Sequence, residues 1–398
     1  MAAAIKLEGS NSTTSNIIAE RLFGISDDDE FGASVYMYAM HGRTAPRQGT
    51  KWPRGYNLKD HLVSCSGGKL QLEAACRNNN SGCGGVEFIR NGVMEVAVDS
   101  IAGENLAKIT FDALTAADQR LVGEGISLMH FSSIALVVPS NADWTCGFGE
   151  AAGIAIPETG LFVLRDDMVD MLQVAFHEYA HTLGLDHSGC LGLGCGALGD
   201  EYGDQSCAMG AGSGYSRLCF NGAQSKSLGW YEEDSVHLVP SLGHSYNGAL
   251  IGVADWSSKN YEPGEQHVVV TISELRSNRR LHLLYNRAKG PNRDSWFAND
   301  KVTVTSDTGN GSKSLHKAAH GGGQIFRVES FDGGSRDLII KVAGMSELYP
   351  PGGEPDIAHV QVYLEGQVMP AFSKTPTGNY SDFISSHMTQ HMLESMDF

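Results

Sequence analysis

Residues 177–187 read His177-Glu178-Tyr179-Ala180-His181-Thr182-Leu183-Gly184-Leu185-Asp186-His187. Around and before them, Met168, Met171, Leu172, Ala175, Phe176 and Ala180 recur at spacings of three and four, which predicts a helix with one apolar face. Asp166 or Asp167 is the expected N-terminal cap, where acid also suits the helix dipole. Gly184 is the expected stop, because glycine enters the left-handed conformation without a Cβ penalty. On such a helix positions i and i+4 share a face, so the imidazoles of His177 and His181 converge on one metal ion. His187 follows the turn by three residues and swings back as the third ligand. Three protein nitrogens leave one position of a tetrahedral Zn²⁺ open, the arrangement of a catalytic site and not of a structural one. Glu178 stands beside the histidines, placed to take a proton from a metal-bound water rather than to ligate the metal.

Outward from this string, Glu201-Tyr202-Gly203-Asp204-Gln205-Ser206-Cys207-Ala208-Met209-Gly210 places a Met-Gly turn 22 residues past His187. Met209 is the expected apolar floor beneath a three-histidine site. Phe220–Trp230 reads as a closing helix with a terminal glycine, its Leu228 and Trp230 packed under the site. On the other side, Gly153–Ile156 is a short strand ended by Pro157, and a candidate edge for binding an extended substrate by strand addition. Further strand-like runs are Val35–Met40, Met94–Val98 and Ile134–Val138, with a helix over Ala116–Val122. A short helix is expected near Ile17–Phe23. From about Glu232 onward the texture is all-β. His267–Ile272, Leu281–Tyr285, Val302–Thr305, Gln324–Val328, Leu338–Val342 and His359–Leu364 are separated by Gly, Asn, Asp and Pro turns, a sandwich pattern. His320-Gly321-Gly322-Gly323 is read as a β-turn, since no Gly-x-Ser-x-Gly elbow accompanies it. The expected organisation is a polar N-terminal tail or pro-segment remnant (1–33), a domain carrying the histidine string (34–235), a β-sandwich-like domain (236–366) and a C-terminal tail (367–398).

The chain has 398 residues with 29 basic and 46 acidic side chains, a net charge of −17. That balance argues against sequence-independent binding to nucleic acid or an anionic membrane surface, because the phosphate term is repulsive. No run of about 18 apolar residues exists, so no membrane-spanning helix is expected. Residues 141–235 hold fourteen acidic residues against three basic ones, eleven of the seventeen net negative charges. Within this region Asp200, Glu201 and Asp204 are a candidate Ca²⁺ site through oxygen ligands. Eight cysteines, at 65, 76, 83, 146, 190, 195, 207 and 219, lie in the N-terminal part, and the last 179 residues have none. An even, clustered set points to disulfides in one domain, and oxidised pairs point to a secreted or extracellular location. The opening residues carry no apolar h-region, so no signal peptide is expected within this chain.

The zinc string with its Met-turn resembles the metzincin metallopeptidases. Glu201–Gly210 and Phe220–Trp230, with Cys65-Ser66-Gly67-Gly68-Lys69-Leu70 upstream, resemble the gametolysin family of algal cell-wall-lytic peptidases, peptidase family M11. The resemblance covers about Val35 to Trp230 and is strongest from Trp144. It implies an α+β catalytic domain: a twisted mixed sheet plus helices, with a zinc helix and a Met-turn. It also implies a zinc endopeptidase acting through a Glu-activated zinc-bound water on extracellular or cell-wall matrix glycoproteins. The implied metal ligands are His177, His181 and His187, and Glu178 is the implied base. Where some metzincins carry a tyrosine as an extra ligand this chain has Ala211. Tyr202 and Tyr215 are candidates for a second oxyanion donor. Two other readings are a catalytically silent matrix-binding protein on a peptidase scaffold and a zinc hydrolase of another substrate. The intact Glu178 argues against the silent one. The expected partner is a protein or peptide substrate, and a monomer is the default state.

Overall fold

The computed structural model describes residues 2–7, 57–72, 89–90, 93–98, 103–146, 149–157, 159–191, 195, 199–211, 216–257, 266–307, 313–346 and 356–369. The expected helix near Ile17–Phe23, the strand over Val35–Met40 and residues 370–398 lie outside them. The architecture is α+β, with mixed sheets and few helices.

The first sheet is built from β1 (Ala2–Leu7), β2 (Ile89–Arg90), β3 (Val93–Val96), β4 (Ser133–Val138), β7 (Gly153–Ile156) and β8 (Leu161–Arg165). Its order is β2-β3-β1-β4-β8-β7, so β7 forms one edge. Strand β1 runs parallel to β3 and β4, and β7 runs antiparallel to β8. Residues 2–7 were expected within a polar tail and are instead a strand near the middle of this sheet. The run Ala2-Ala3-Ala4-Ile5-Lys6-Leu7 is short, and its non-local partners at 93–96 and 133–137 are invisible to a local reading. A separate two-stranded ribbon pairs β5 (Thr145–Cys146) with β6 (Gly149–Glu150).

Strand alternation divides the layers. Leu136 and Val138 face α2 (Leu106–Val122), where Ile109, Ala113, Ala117 and Leu121 complete one core. Ala135 and Val137 point the other way, against Leu58 and Leu62 of α1 (Leu58–Ser66) and Ala175, Phe176, Tyr179 and Ala180 of α3 (Leu172–Thr182). The sheet is therefore buried on both faces, and α3 is held rigidly by its apolar stripe.

Helix α3 starts later than its sequence suggests. Asp166 and Asp167 lie in a short 3₁₀ turn, and Met171 occupies the N-cap position without a side-chain hydrogen bond. Both carboxylates are engaged elsewhere: Asp166 accepts from the Ser140 N–H and Asp167 from Arg165 Nε. The C-terminus is as expected. Gly184 has φ +84°, the Gly184 N–H donates to the His181 carbonyl and the Leu185 N–H to the Ala180 carbonyl. That pair of bonds closes the helix and reverses the chain.

The chain then alternates between layers through β9 (Ser188–Cys190), α4 (Gly199–Tyr202) and α5 (Gly222–Ser227). Asn221 caps α5, accepting from the Gln224 N–H. The rest is β-rich: β10 (Ser235–Leu238), β11 (Tyr246–Ile251), helix α6 (Val253–Ser257), β12 (Gln266–His267), β13 (Val269–Ser273), β14 (Arg280–Asn286), β15 (Lys301–Asp307), β16 (Ser314–His320), β17 (Ile325–Val328), β18 (Leu338–Ser346) and β19 (Ile357–Leu364). Two sheets result, ordered β10-β13-β14-β15-β16-β9 and β12-β11-β19-β18-β17. Val270, Leu283, Tyr285 and Val304 from the first share one apolar cluster with Leu250, Ile340, Val360 and Val362 from the second. The run expected over His267–Ile272 divides at Val268, since β12 pairs with β11 and β13 with β10 and β14. The glycines after His320 form the expected turn between β16 and β17, closed by the Gln324 N–H on the Gly321 carbonyl.

Strand β9 forms the edge of the first of these two sheets, parallel to β16. Disulfides join Cys65 to Cys219 and Cys190 to Cys195. Cys207 is a buried free thiol that donates to Gln224 Oε1. No helix among the described residues is long and apolar enough to cross a membrane.

Candidate metal centre

His177 and His181 project from the half-buried face of α3, opposite its apolar stripe. The Gly184 turn returns His187 to the same point. His181 Nε2 lies 3.2 Å from His177 Nε2 and 3.1 Å from His187 Nε2. All three ring nitrogens lie within 4.8 Å of one another.

The opposite nitrogen of each ring is occupied. His177 Nδ1 donates to the Ala208 carbonyl at 2.9 Å, His181 Nδ1 to the Leu185 carbonyl at 2.7 Å, and His187 Nδ1 to Glu201 Oε1 at 2.5 Å. With each Nδ1 protonated in this way, each Nε2 lone pair points into the shared space. Burial, and then the neighbouring His181, lowers the His177 pKa to about 3, and burial lowers that of His181. Those two rings therefore stay neutral at neutral pH, with lone pairs available. Two nitrogens, each about 2.0–2.1 Å from a tetrahedral Zn²⁺, stand about 3.3 Å apart. The observed spacings fit that requirement, and three converging lone pairs are mutually repulsive unless a cation lies among them.

Glu178 is 8% exposed, and burial pushes its carboxyl up to about 8. Strand β7 runs directly against it: a Cβ added at Gly153 would lie 2.7 Å from Glu178 Cγ. Only glycine lets the sheet edge approach the carboxylate this closely.

The turn expected at Met209 is present, and Met209 is fully buried in the same cluster as Phe176, Phe220 and Trp230. The Gly210 N–H donates to the Cys207 carbonyl, and a Cβ at Gly210 would lie 1.7 Å from the Asp204 carbonyl oxygen. The Ala208 carbonyl accepts from both His177 Nδ1 and Gln173 Nε2. The turn thus orients the first histidine through its backbone as well as filling space with Met209.

The calcium expectation is not carried by Glu201 and Asp204. Glu201 faces His187 and accepts from Lys313 Nζ at 3.0 Å. Asp204 is fully buried, and its two oxygens accept from Ser188, Asn221 and Ser206. The side chain of Asp200 and all of Tyr215 lie outside the described residues. Tyr202 does reach the centre, its ring 4.0 Å from that of His187 and 6.2 Å from that of His177. The supporting parts that a sequence reading misses are Gln173, the Glu201 carboxylate in its actual role, and Lys313. Glu201 is visible as an acid 14 residues past His187, but nothing local says which way it faces.

The family model of gametolysin peptidase M11 matches residues 58–248. No curated protein matches the chain. No solved structure matches it either.

Proposed function

We propose, from the premise that residues 58–248 are a gametolysin-type peptidase region, that the chain is a zinc-dependent endopeptidase. The observation that carries this reading is the convergence of three Nε2 atoms beside a buried glutamate. His177, His181 and His187 would hold the ion, and Met209 would floor the site. Zinc bound there supplies Lewis acidity that makes water nucleophilic at neutral pH and polarises the peptide carbonyl. Glu178 accepts the proton of the attacking water and delivers it to the leaving amine nitrogen. Burial strengthens it as a base relative to an exposed carboxylate, and a nearby cation opposes that rise. Strand β7, an edge of its sheet among the described residues, holds the substrate backbone extended across Glu178, by strand addition.

The substrate class follows from family and compartment. Disulfides at Cys65–Cys219 and Cys190–Cys195 suit an oxidising, extracellular setting, and matrix or cell-wall proteins are the substrates met there. We place the peptidase domain over 34–235, with strand β1 (Ala2–Leu7) inserted in its sheet, and a β-sandwich-like domain over 236–366, the shared cluster of the two C-terminal sheets supporting the latter.

A paired digest tests the activity. The protein and its Glu178→Ala form are incubated with a mixed peptide library, with and without a chelator, and cleavage is read by mass spectrometry. Cleavage by the zinc-loaded wild type, lost in the variant and in the chelated sample, is the expected result. Cleavage that survives in Glu178→Ala would remove Glu178 from its role.

A further inference from the structure

His177 and His181 are fixed by a helix packed on a core, but His187 lies beyond it and needs other support. That support comes from β16, which lies past the end of the family match at residue 248. The Ser314 N–H donates to the His187 carbonyl at 3.4 Å, and the register pairs Ser314 with Ser188, the residue after the ligand. Behind this pairing Ser314 Oγ donates to Ser188 Oγ, and Asn221 Nδ2 bonds Ser188, Asp204 and Ser314, all buried. At the imidazole itself, Lys313 Nζ lies 3.0 Å from Glu201 Oε2 while Glu201 Oε1 receives His187 Nδ1–H at 2.5 Å.

We propose that Lys313 and Glu201 are positioning residues for the third metal ligand, so that the C-terminal β-rich part completes the metal centre. This rests on the zinc reading above. The carboxylate is bidentate in function: one oxygen fixes the tautomer and plane of His187, and the other is anchored by a cation from Lys313, the residue just before β16. As a surface ion pair, Lys313–Glu201 contributes little to stability, with side chains 30% and 49% exposed. Its consequence is orientation of the ring.

Zinc affinity of the full chain, measured by competition with a chelating dye, tests this without reference to activity. Glu201→Ala is expected to weaken zinc binding by about 10–100-fold, and Lys313→Met by about tenfold, the low end of that range. Lys313→Arg, which keeps a cation within reach of Glu201, restores most of the affinity. Lys313→Met added to Glu201→Ala costs no more than Glu201→Ala alone, because the two act through one ring. Thermal denaturation of the metal-free variants stays at the wild-type temperature, which separates ligand positioning from loss of fold. Unchanged affinity in Lys313→Met, or equal losses in the Met and Arg forms, overturns the proposal. A wild-type chain that binds no zinc overturns the metal reading and this proposal with it, and is recognised before any substitution is made.

Discussion

At the scale of single residues the site was legible wherever its logic is local. His177, His181, Gly184 and His187 lie within eleven residues; helical geometry brings the first two together, and the turn at Gly184 returns the third. Glu201 was visible but its direction was not, and Lys313 stands 112 residues from it in sequence, beyond the reach of any periodicity. The buried titratable groups were equally opaque, since burial is a property of the fold. His61 is fully buried, donates to the Leu218 carbonyl, and has its pKa pushed down by burial from 6.5 to about 4. Between those values the unfolded chain takes up a proton that the folded chain refuses. Stability therefore falls as pH drops from 6.5 toward 4, by about 1.4 kcal/mol per pH unit for the one proton, and this contribution levels off below. His61→Gln is expected to show a shallower decline of metal-free melting temperature over that window. Equal slopes in the two proteins would show that His61 is not held neutral. His177 and His181 also shift downward, but they are present in both proteins and cancel in the comparison.

Among elements, the C-terminal end of α3 was readable and its N-terminal end was not. A glycine three residues past the second histidine has one strong local meaning, whereas aspartates upstream have several, and here they serve Ser140 and Arg165. Most later strands declared themselves through β-branched or alternating runs. Strand β16 did not: Ser314-Leu315-His316-Lys317-Ala318-Ala319-His320 carries no β-branched residue, and only pairing with β15 and β9 makes it a strand. Gly184→Ala places a Cβ at φ +84°, a strain of about 1–2 kcal/mol. The relief available is a change in the turn that delivers His187. The expected outcome is a lower melting temperature together with a smaller upward shift on adding zinc, because linkage reads the lost affinity directly. A variant that loses stability while keeping the full zinc shift would mean that the turn does not set the ligand.

For the molecule as a whole, the boundary suggested by composition is crossed by strand pairing and by an ion pair. Strand β9 belongs to a sheet otherwise made of residues beyond 234, and Arg217 pairs with Asp294 across the same seam. Composition registers where the texture of the chain changes, not which strands meet. The Cys65–Cys219 bridge spans 154 residues and ties the end of α1 to the segment just before α5. Tyr231 reinforces that junction by donating its hydroxyl to the Cys65 carbonyl. In the chain-entropy account a loop of that length contributes about 5 kcal/mol to stability. It has another consequence, which concerns the proposed peptidase and its own activity. The candidate ligands His177, His181 and His187 all lie inside the closed loop. A self-inflicted nick there would release no fragment: both pieces would stay tethered around the core of the site. Aged preparations should then run as one intact band on a non-reducing gel and as two on a reducing gel. Fragments that separate without reductant would show that the bridge does not protect against autolysis.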